Sequence, residues 1–329
     1  MRKFPSICQL LLGAAENLNL DMRELQRKSG VTYSIIEASD NPPPLFTLRI
    51  LKSISLQMVS NNYPLLISSA ITPDLLGPIF LIFFSSKNFQ ESICNLNRVL
   101  FEPRDLYLKI INNKDGSSSI VLMNNDKTTE YMSDTIELII MSVLVRLVRW
   151  GRGRYFRWKK LKLSRKAPII GLDYSLGILC QFGCEQSSLD FASSELSQEM
   201  LTGSFAPSVN FHREIDAYLE TELNIVRPIK ALVDTNLQNQ EFCLENAAEY
   251  LGVNIRTLQR RLKAHGVTFK EIALSVRMDM ALKLLLERSC TTENIAQHLG
   301  YHEVNSFIRA FKKRFAISPS EFREGLHYL

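Results

Sequence analysis

The chain has 329 residues, room for two domains at roughly 100 to 200 residues each. Its 46% hydrophobic and 22% charged content excludes disordered and collagen-like classes. The net charge of +5 admits a polyanionic partner without demanding one, and the scattered cysteines at 8, 94, 180, 184, 243 and 290 offer no zinc or redox spacing.

The opening MRKFPSICQLLLGAAENLNL has two basic residues and a short apolar stretch soon interrupted by Glu16 and Asn17. That pattern fits an amphipathic first helix better than a signal peptide. From Asp21 to about Leu100 apolar positions recur at helical spacing, with a turn at Pro42, Pro43 and Pro44 and Ser85 or Ser86 as cap of a helix ending at Leu100. Arg104 to Asn112 and Ser118 to Asn124 read as strands joined at Lys114, Asp115 and Gly116. A long apolar helix is expected from Ser133 to about Trp150. Leu75 to Phe84 and Ile136 to Val148 both fall short of the roughly 20 residues that span a bilayer, and the second contains Glu137 and Arg146. No membrane partner and a cytoplasmic location are therefore expected.

Arg149 to Pro168 carries basic residues interleaved with Tyr155, Phe156 and Trp158, and no acid. Nucleic-acid contact is one reading; the alternation from Arg154 to Leu163 favours a half-buried edge strand defended by lysines. A strand-like stretch from Ile178 to Cys184 and a short helix around Glu195 to Leu201 follow. Small and turn-forming residues at 202–210 begin a connection, and helical patterns run from Phe211 to Leu223 and from Pro228 to Leu237, with Pro228 suited to a first helical turn. The expected division is an N-terminal domain over 1–205, a helical connection over 206–240 and a C-terminal domain over 241–329.

The C-terminal third contains an internal repeat. LENAAEYLGVNIRTLQRRLKAHG from Leu244 aligns with TENIAQHLGYHEVNSFIRAFKKRF from Thr292, matching Ala248 to Ala296, Leu251 to Leu299, Gly252 to Gly300, Leu258 to Phe307 and Arg260 to Arg309. Each copy predicts a helix, a glycine turn and a second helix, the pattern of helix-turn-helix DNA binding. The small alanines let the two helices approach, and the glycines can take the positive φ that ends the first helix.

In the first copy Leu258 and Leu262 face the core, Asn254 caps the second helix, and Arg256, Gln259, Arg260 and Lys263 share another face. In the second, Phe307, Phe311 and Phe315 form the buried stripe, while Asn305, Ser306, Arg309, Lys312, Lys313 and Arg314 complete the candidate DNA-binding set. Arginine can bond guanine and asparagine adenine with paired contacts, so Arg260, Arg309 and Asn305 are candidates for base readout. Lys263, Lys312, Lys313 and Arg314 are candidates for phosphate contact.

Between the copies, Ile272, Val276, Met280, Leu284 and Leu285 fit one long helix. About 20 residues would span roughly 30 Å, close to the roughly 34 Å between successive major-groove faces. Residues 225–329 hold fifteen Lys and Arg against eleven Asp and Glu, too small an excess for indiscriminate binding. Ser318, Pro319 and Glu321 form a capping box that predicts a last helix from Pro319 to about Gly325.

LGVNIRTLQRRLKAHGVTFKEI, VRMDMALKLL, IAQHLGYHEVNSFIRAFKKRF and SPSEFR resemble the C-terminal domain of the AraC/XylS family of transcription regulators, over Phe242 to Arg323. The resemblance implies two helix-turn-helix subdomains, joined by a helix, in adjacent major grooves of double-stranded DNA. Asn254 stands where the family often has serine, Tyr301 for a frequent phenylalanine, and Ala316 where glycine is frequent. LLGPIFLIFFSSKNFQESICNLNRVLFEP and YSLGILCQFGCEQSSLDFASSELSQEML more faintly resemble the arabinose-binding-type domain of the ornithine-utilisation-regulator group, a label that does not license arabinose as ligand. The resemblance implies an N-terminal domain for effector sensing, dimerisation or both, so that a small-molecule effector, a homodimer and RNA polymerase join double-stranded DNA as expected partners; the expected fold is an α+β N-terminal domain followed by an all-α C-terminal domain of two helix-turn-helix subdomains joined by a linker helix.

Nothing before the repeat suggests an enzyme: there is no glycine-rich phosphate loop or nucleophile elbow, and His212 alone among the histidines precedes residue 260. No cofactor or metal is expected. The competing reading is an architectural nucleic-acid-binding protein without effector control.

Overall fold

The computed structural model describes residues 5–39, 42–58, 60, 62–100, 106–124, 134–153, 156–200, 222–239, 242–287 and 290–325. In chain order the helices begin with α1 (Ile7–Asn17), α2 (Met22–Ser29), α3 (Tyr33–Ala38) and α4 (Pro44–Gln57). Next come α5 (Tyr63–Ala70), α6 (Pro73–Leu76), α7 (Pro78–Ser85) and α8 (Phe89–Leu100). Strands β1 (Leu106–Asn112) and β2 (Ser117–Asn124) precede α9 (Asp134–Arg152), β3 (Trp158–Lys162), α10 (Leu172–Leu176), β4 (Cys180–Gln181) and β5 (Ser188–Ala192). The remaining helices are α11 (Arg227–Thr235), α12 (Leu244–Tyr250), α13 (Ile255–Ala264), α14 (Phe269–Leu286), α15 (Thr292–His298), α16 (Val304–Phe315) and α17 (Pro319–Gly325).

Contacts divide the chain into two compact units, one of Met1–Met22 with Leu51–His212 and the other of Arg23–Ile50 with Arg213–Leu329. The expected connection at 202–210, nearly all of the expected helix from Phe211 to Leu223, His212, Arg154, Tyr155, and the outer residues Arg104 and Ser133 lie outside the described residues.

The first unit is α+β. Its sheet has the order β1-β2-β5-β3-β4, with β1 and β2 forming the expected antiparallel hairpin and Leu108 opposite Leu122. The amide of Asn97 on α8 ties this edge down, donating to the Leu108 carbonyl at 2.7 Å while accepting the Leu108 N–H at 2.8 Å. Helix α9 is buried on more than one face, from Ile136 to Gly151, and packs on α5 and α7. Among the described residues no helix is long and apolar enough to cross a membrane.

Four expectations need correction here. Helix α8 is capped by Asn88, whose Oδ1 accepts the Glu91 N–H at 2.9 Å, while Ser86 ends α7 instead. The segment expected to be a helix near Glu195 is a single 3-10 turn, Ser193–Ser197. The strand expected from Ile178 to Cys184 shrinks to Cys180–Gln181. Finally, β3 is not an outer strand, since β5 and β4 flank it; β4 is so short that it covers only Leu161 and Lys162.

Strand β5 was not anticipated. Its short SLDFA run, flanked by serines, carries little periodic signal, yet it pairs with both β2 and β3. Phe191 on this strand is fully buried, with ring centroids 5.4 Å from Phe89, 5.8 Å from Trp158 and 6.0 Å from Phe156. Trp158 thus packs into an aromatic cluster. The basic alternation is kept in place partly by Lys162, paired with Asp190 across the strands at 2.9 Å.

The second unit is helical. Helix α14 is its hub, with α11, α15 and α17 packed on it. The expected stripe on α14 is too narrow: Ile272, Ala273, Ser275, Met278, Ala281, Leu282 and Leu285 are buried, whereas Val276, Met280 and Leu284 are only half-buried. A helix packed from several sides buries more than one stripe. Replacing Phe191 by Ala is expected to cost about 3 to 5 kcal/mol by leaving a cavity among the neighbouring rings. Urea unfolding followed by tryptophan fluorescence checks this, because both tryptophans, Trp150 and Trp158, lie in the first unit.

Candidate nucleic-acid interface

The two repeats fold alike down to individual hydrogen bonds. Helix α12 ends with Gly252 at φ 63°, its N–H donating to the Glu249 carbonyl at 3.0 Å, while the Val253 N–H reaches the Ala248 carbonyl at 3.0 Å. Helix α15 ends with Gly300 at φ 78°, bonded to the Gln297 carbonyl at 3.0 Å, and the Tyr301 N–H reaches the Ala296 carbonyl at 2.9 Å. This crossed pair satisfies the carbonyls that a helix end leaves unpaired, and it needs the left-handed conformation that glycine adopts most freely. The sharp stop aims the next helix.

Helix α13 starts where Asn254 Oδ1 accepts the Arg256 N–H at 2.9 Å, as its residue type predicts. Leu258 and Leu262 are buried beneath it. Arg256, Gln259, Arg260 and Lys263 are all exposed. On α16 the buried stripe is Phe307, Phe311 and Phe315, with ring centroids 5.8 Å apart for the first pair and 4.7 Å for the second. Asn305, Arg309, Lys312 and Lys313 are exposed. Ser306 is half-buried, and its Oγ accepts from Arg309 Nη2 at 3.0 Å, which steadies the guanidinium.

Arg314 differs from the others. Seven residues after Phe307, it falls beside the buried stripe, is half-buried, and has an enclosed Nε with no hydrogen-bond partner among the described residues.

Two carboxylates stand near this basic surface. Hydrogen bonds from Thr268 hold the Glu271 carboxyl below its usual pKa range, with a smaller contribution from Arg314. Hydrogen bonds from Ser318 do the same for Glu321, with a smaller contribution from Lys312. Both are capping boxes: the Thr268 N–H donates to Glu271 at 2.7 Å and the Ser318 N–H to Glu321 at 2.6 Å. The described ion pairs involve none of Arg256, Arg260, Lys263, Arg309, Lys312 or Lys313.

Several residues here escaped the sequence reading. Arg277 on α14 donates from Nε to the Leu299 carbonyl at 3.2 Å, tying the rod to the second turn. Ile255, at the first position of α13, is 37% exposed, although it stands three and seven residues before Leu258 and Leu262 and so falls on their face of the helix. An open groove of about 710 Å³ runs beside the second turn, lined in part by Glu293, Gln297, His298 and His302. Among the described residues no group of His, Cys, Asp and Glu could hold a metal ion.

Residues 247–325 match a family described as Helix-turn-helix domain. The chain is 36% identical over 112 residues to the HTH-type transcriptional regulator VqsM of Pseudomonas aeruginosa, covering 34% of each chain. It is 31% identical over 106 residues to the transcriptional activator RhrA of Rhizobium meliloti, covering 32% of this chain and 34% of that one. The matches therefore span about a third of the length of these curated relatives. A solved structure of the transcriptional regulator CdpR from Pseudomonas aeruginosa shares 20% identity, with 86% of this chain and 93% of that chain covered and a TM-score of 0.45, a likeness too low to carry an argument. The C-terminal match and the paired turns together identify a helix-turn-helix domain in the second unit.

Ala316 ends α16 at φ 64°, with its N–H on the Lys312 carbonyl at 2.9 Å. An L-residue pays roughly 1 to 2 kcal/mol for that conformation. Ala316→Gly is therefore expected to stabilise the chain by about 1 kcal/mol, after allowing for the extra freedom of glycine in the unfolded state. The thermal unfolding midpoint should rise; a fall would contradict the left-handed cap.

Proposed function

We propose that this chain is a transcription regulator of the AraC/XylS type that grips double-stranded DNA with α13 and α16 in adjacent major grooves. The observation that carries the reading is the repetition of one device: a helix stopped by a crossed glycine cap, followed by a helix with one apolar stripe buried and its opposite, basic face exposed. The Helix-turn-helix match over 247–325 and the regulator relatives support it.

In this reading Arg260, Arg309 and Asn305 read base edges, joined by Arg256 and Gln259, while Ser306 orients Arg309. Lys263, Lys312 and Lys313 contact phosphates. Helix α14, with 18 residues, spans about 27 Å; the turns beyond its two ends supply the rest of the roughly 34 Å groove repeat. The first unit serves effector sensing and dimerisation, and the DNA-bound chain acts on RNA polymerase.

An architectural role is the second reading. It is disfavoured by the small basic excess of residues 225–329, fifteen against eleven, because binding without sequence preference depends on phosphate neutralisation. Footprinting separates the two: two successive major-groove faces per protomer support the regulator, and even coverage supports the architectural role.

Arg309→Ala should weaken binding by roughly 1 to 3 kcal/mol and relax preference at one base pair. An equal loss on every sequence, measured by competition with single-base variants, would remove Arg309 from base readout. Lys312→Ala should weaken all sequences alike and make the dependence of log affinity on log salt shallower by about 1. An unchanged slope would reject that phosphate contact.

A further inference from the structure

The second unit includes a stretch far from it in sequence, Arg23–Ile50. Four contacts place this stretch on one side of the unit. Helix α3 packs on α16, and its Ile35 and Ile36 are fully buried. Phe46, in the first turn of α4, lies 5.9 Å from Phe322 on α17. Phe322 in turn lies 6.2 Å from Phe311, so a line of rings joins the stretch to the stripe directly behind Arg309 and Lys312. Gly30, at φ +67°, is pressed so closely on the end of α17 that a Cβ there would meet the Gly325 carbonyl oxygen at 2.4 Å. Ser39 Oγ donates to Asp279 Oδ1 on α14 at 2.8 Å.

All four contacts fall on α14, α16 and α17. The first helix-turn-helix rests on another support, the turn Glu222–Val226 packed against α13. We infer that residues 23–50 are a positioning element for the second DNA-reading helix: they set the orientation of α16 from behind while touching no base or phosphate themselves. The inference rests on the DNA reading above. It means that reading by α16, and not by α13, depends on a segment contributed from the N-terminal part of the chain. Packed helices rest in discrete arrangements, so a loosened backing shifts the population of correctly aimed α16 rather than bending it slightly.

The test uses the full chain and the duplex that the wild-type chain selects from a randomised pool. Phe46→Ala should speed amide exchange in α16 and α17 on the order of tenfold while leaving α13 unchanged. It should remove protection over the groove face read by α16, keep it over the face read by α13, and weaken affinity for the selected duplex on the order of tenfold, the loss expected when one of two readers is misaimed. Phe46→Leu, which refills most of the space, should restore both. If Phe46→Ala does not fold, Gly30→Ala is read in the same way, since its added Cβ meets the Gly325 carbonyl oxygen.

Equal losses on both groove faces with equal exchange in α13 and α16 would overturn the inference, leaving only general stabilisation. So would an unchanged footprint in a chain whose wild type protects two faces. A wild-type chain that protects no duplex would overturn the DNA reading and this inference together.

Discussion

An α-helix can bury only the stripe that its 3.6-residue repeat brings to one side, and the interface in the second unit depends on that constraint. With Leu258 and Leu262 on α13, and Phe307, Phe311 and Phe315 on α16, packed into the unit, the intervening positions have nowhere to go but outward. Basic and amide side chains stand there. Burial of three phenylalanines in a row is the stronger fastening; each side chain taken from water contributes roughly 1.5 to 3 kcal/mol. The exposed face therefore needs no internal partners to hold its aim.

Helix α14 extends the same logic to the pair. A helix packed from one side would show one apolar stripe, but α14 buries Ala273, Met278 and Leu282 as well as Ile272 and Leu285. Its neighbours α11, α15 and α17 all pack on it. Arg277 fastens it to the Leu299 carbonyl and Ser39 to Asp279. A spacer held this way transmits position as a rigid body, which a solvated rod carrying one stripe would do less well.

The repeat was legible because its signals are local. A cap residue at Asn254, glycines at 252 and 300 and stripes at fixed spacing each act within a few residues, and the structure realises them as drawn. What was not legible depends on distant packing. Strand β5 has too few residues to show alternation and exists because β2 and β3 pair with it. The breadth of the α14 core depends on helices that arrive from elsewhere, and membership of 23–50 in the second unit leaves no trace in its helical periodicity. Arg314 illustrates the limit at one residue: its charge can be read from the sequence, but its half-burial and enclosed Nε depend on what packs beside the Phe307 stripe.

Charge placement follows from the same geometry. Exposed cations cluster on α13, at Arg256, Arg260, Arg261 and Lys263, and on α16, at Arg309, Lys312 and Lys313, while the capping-box carboxylates Glu271 and Glu321 lie within electrostatic reach of Arg314 and Lys312. Those carboxylates are held ionised first by the backbone and hydroxyl groups they cap, so they remain as fixed negative charges next to the end of α16. Cations at a helix C-terminus are favoured by the helix dipole, which places Lys312 and Lys313 well without help from a partner. A neighbouring anion lowers the local field that a polyanion would feel, and it does so more at the end of α16 than at its start, where Asn305 and Arg309 stand. In the proposed DNA-bound state, attraction to any phosphate backbone would thereby be limited, and a larger share of the binding free energy would have to come from contacts whose geometry depends on which bases are present.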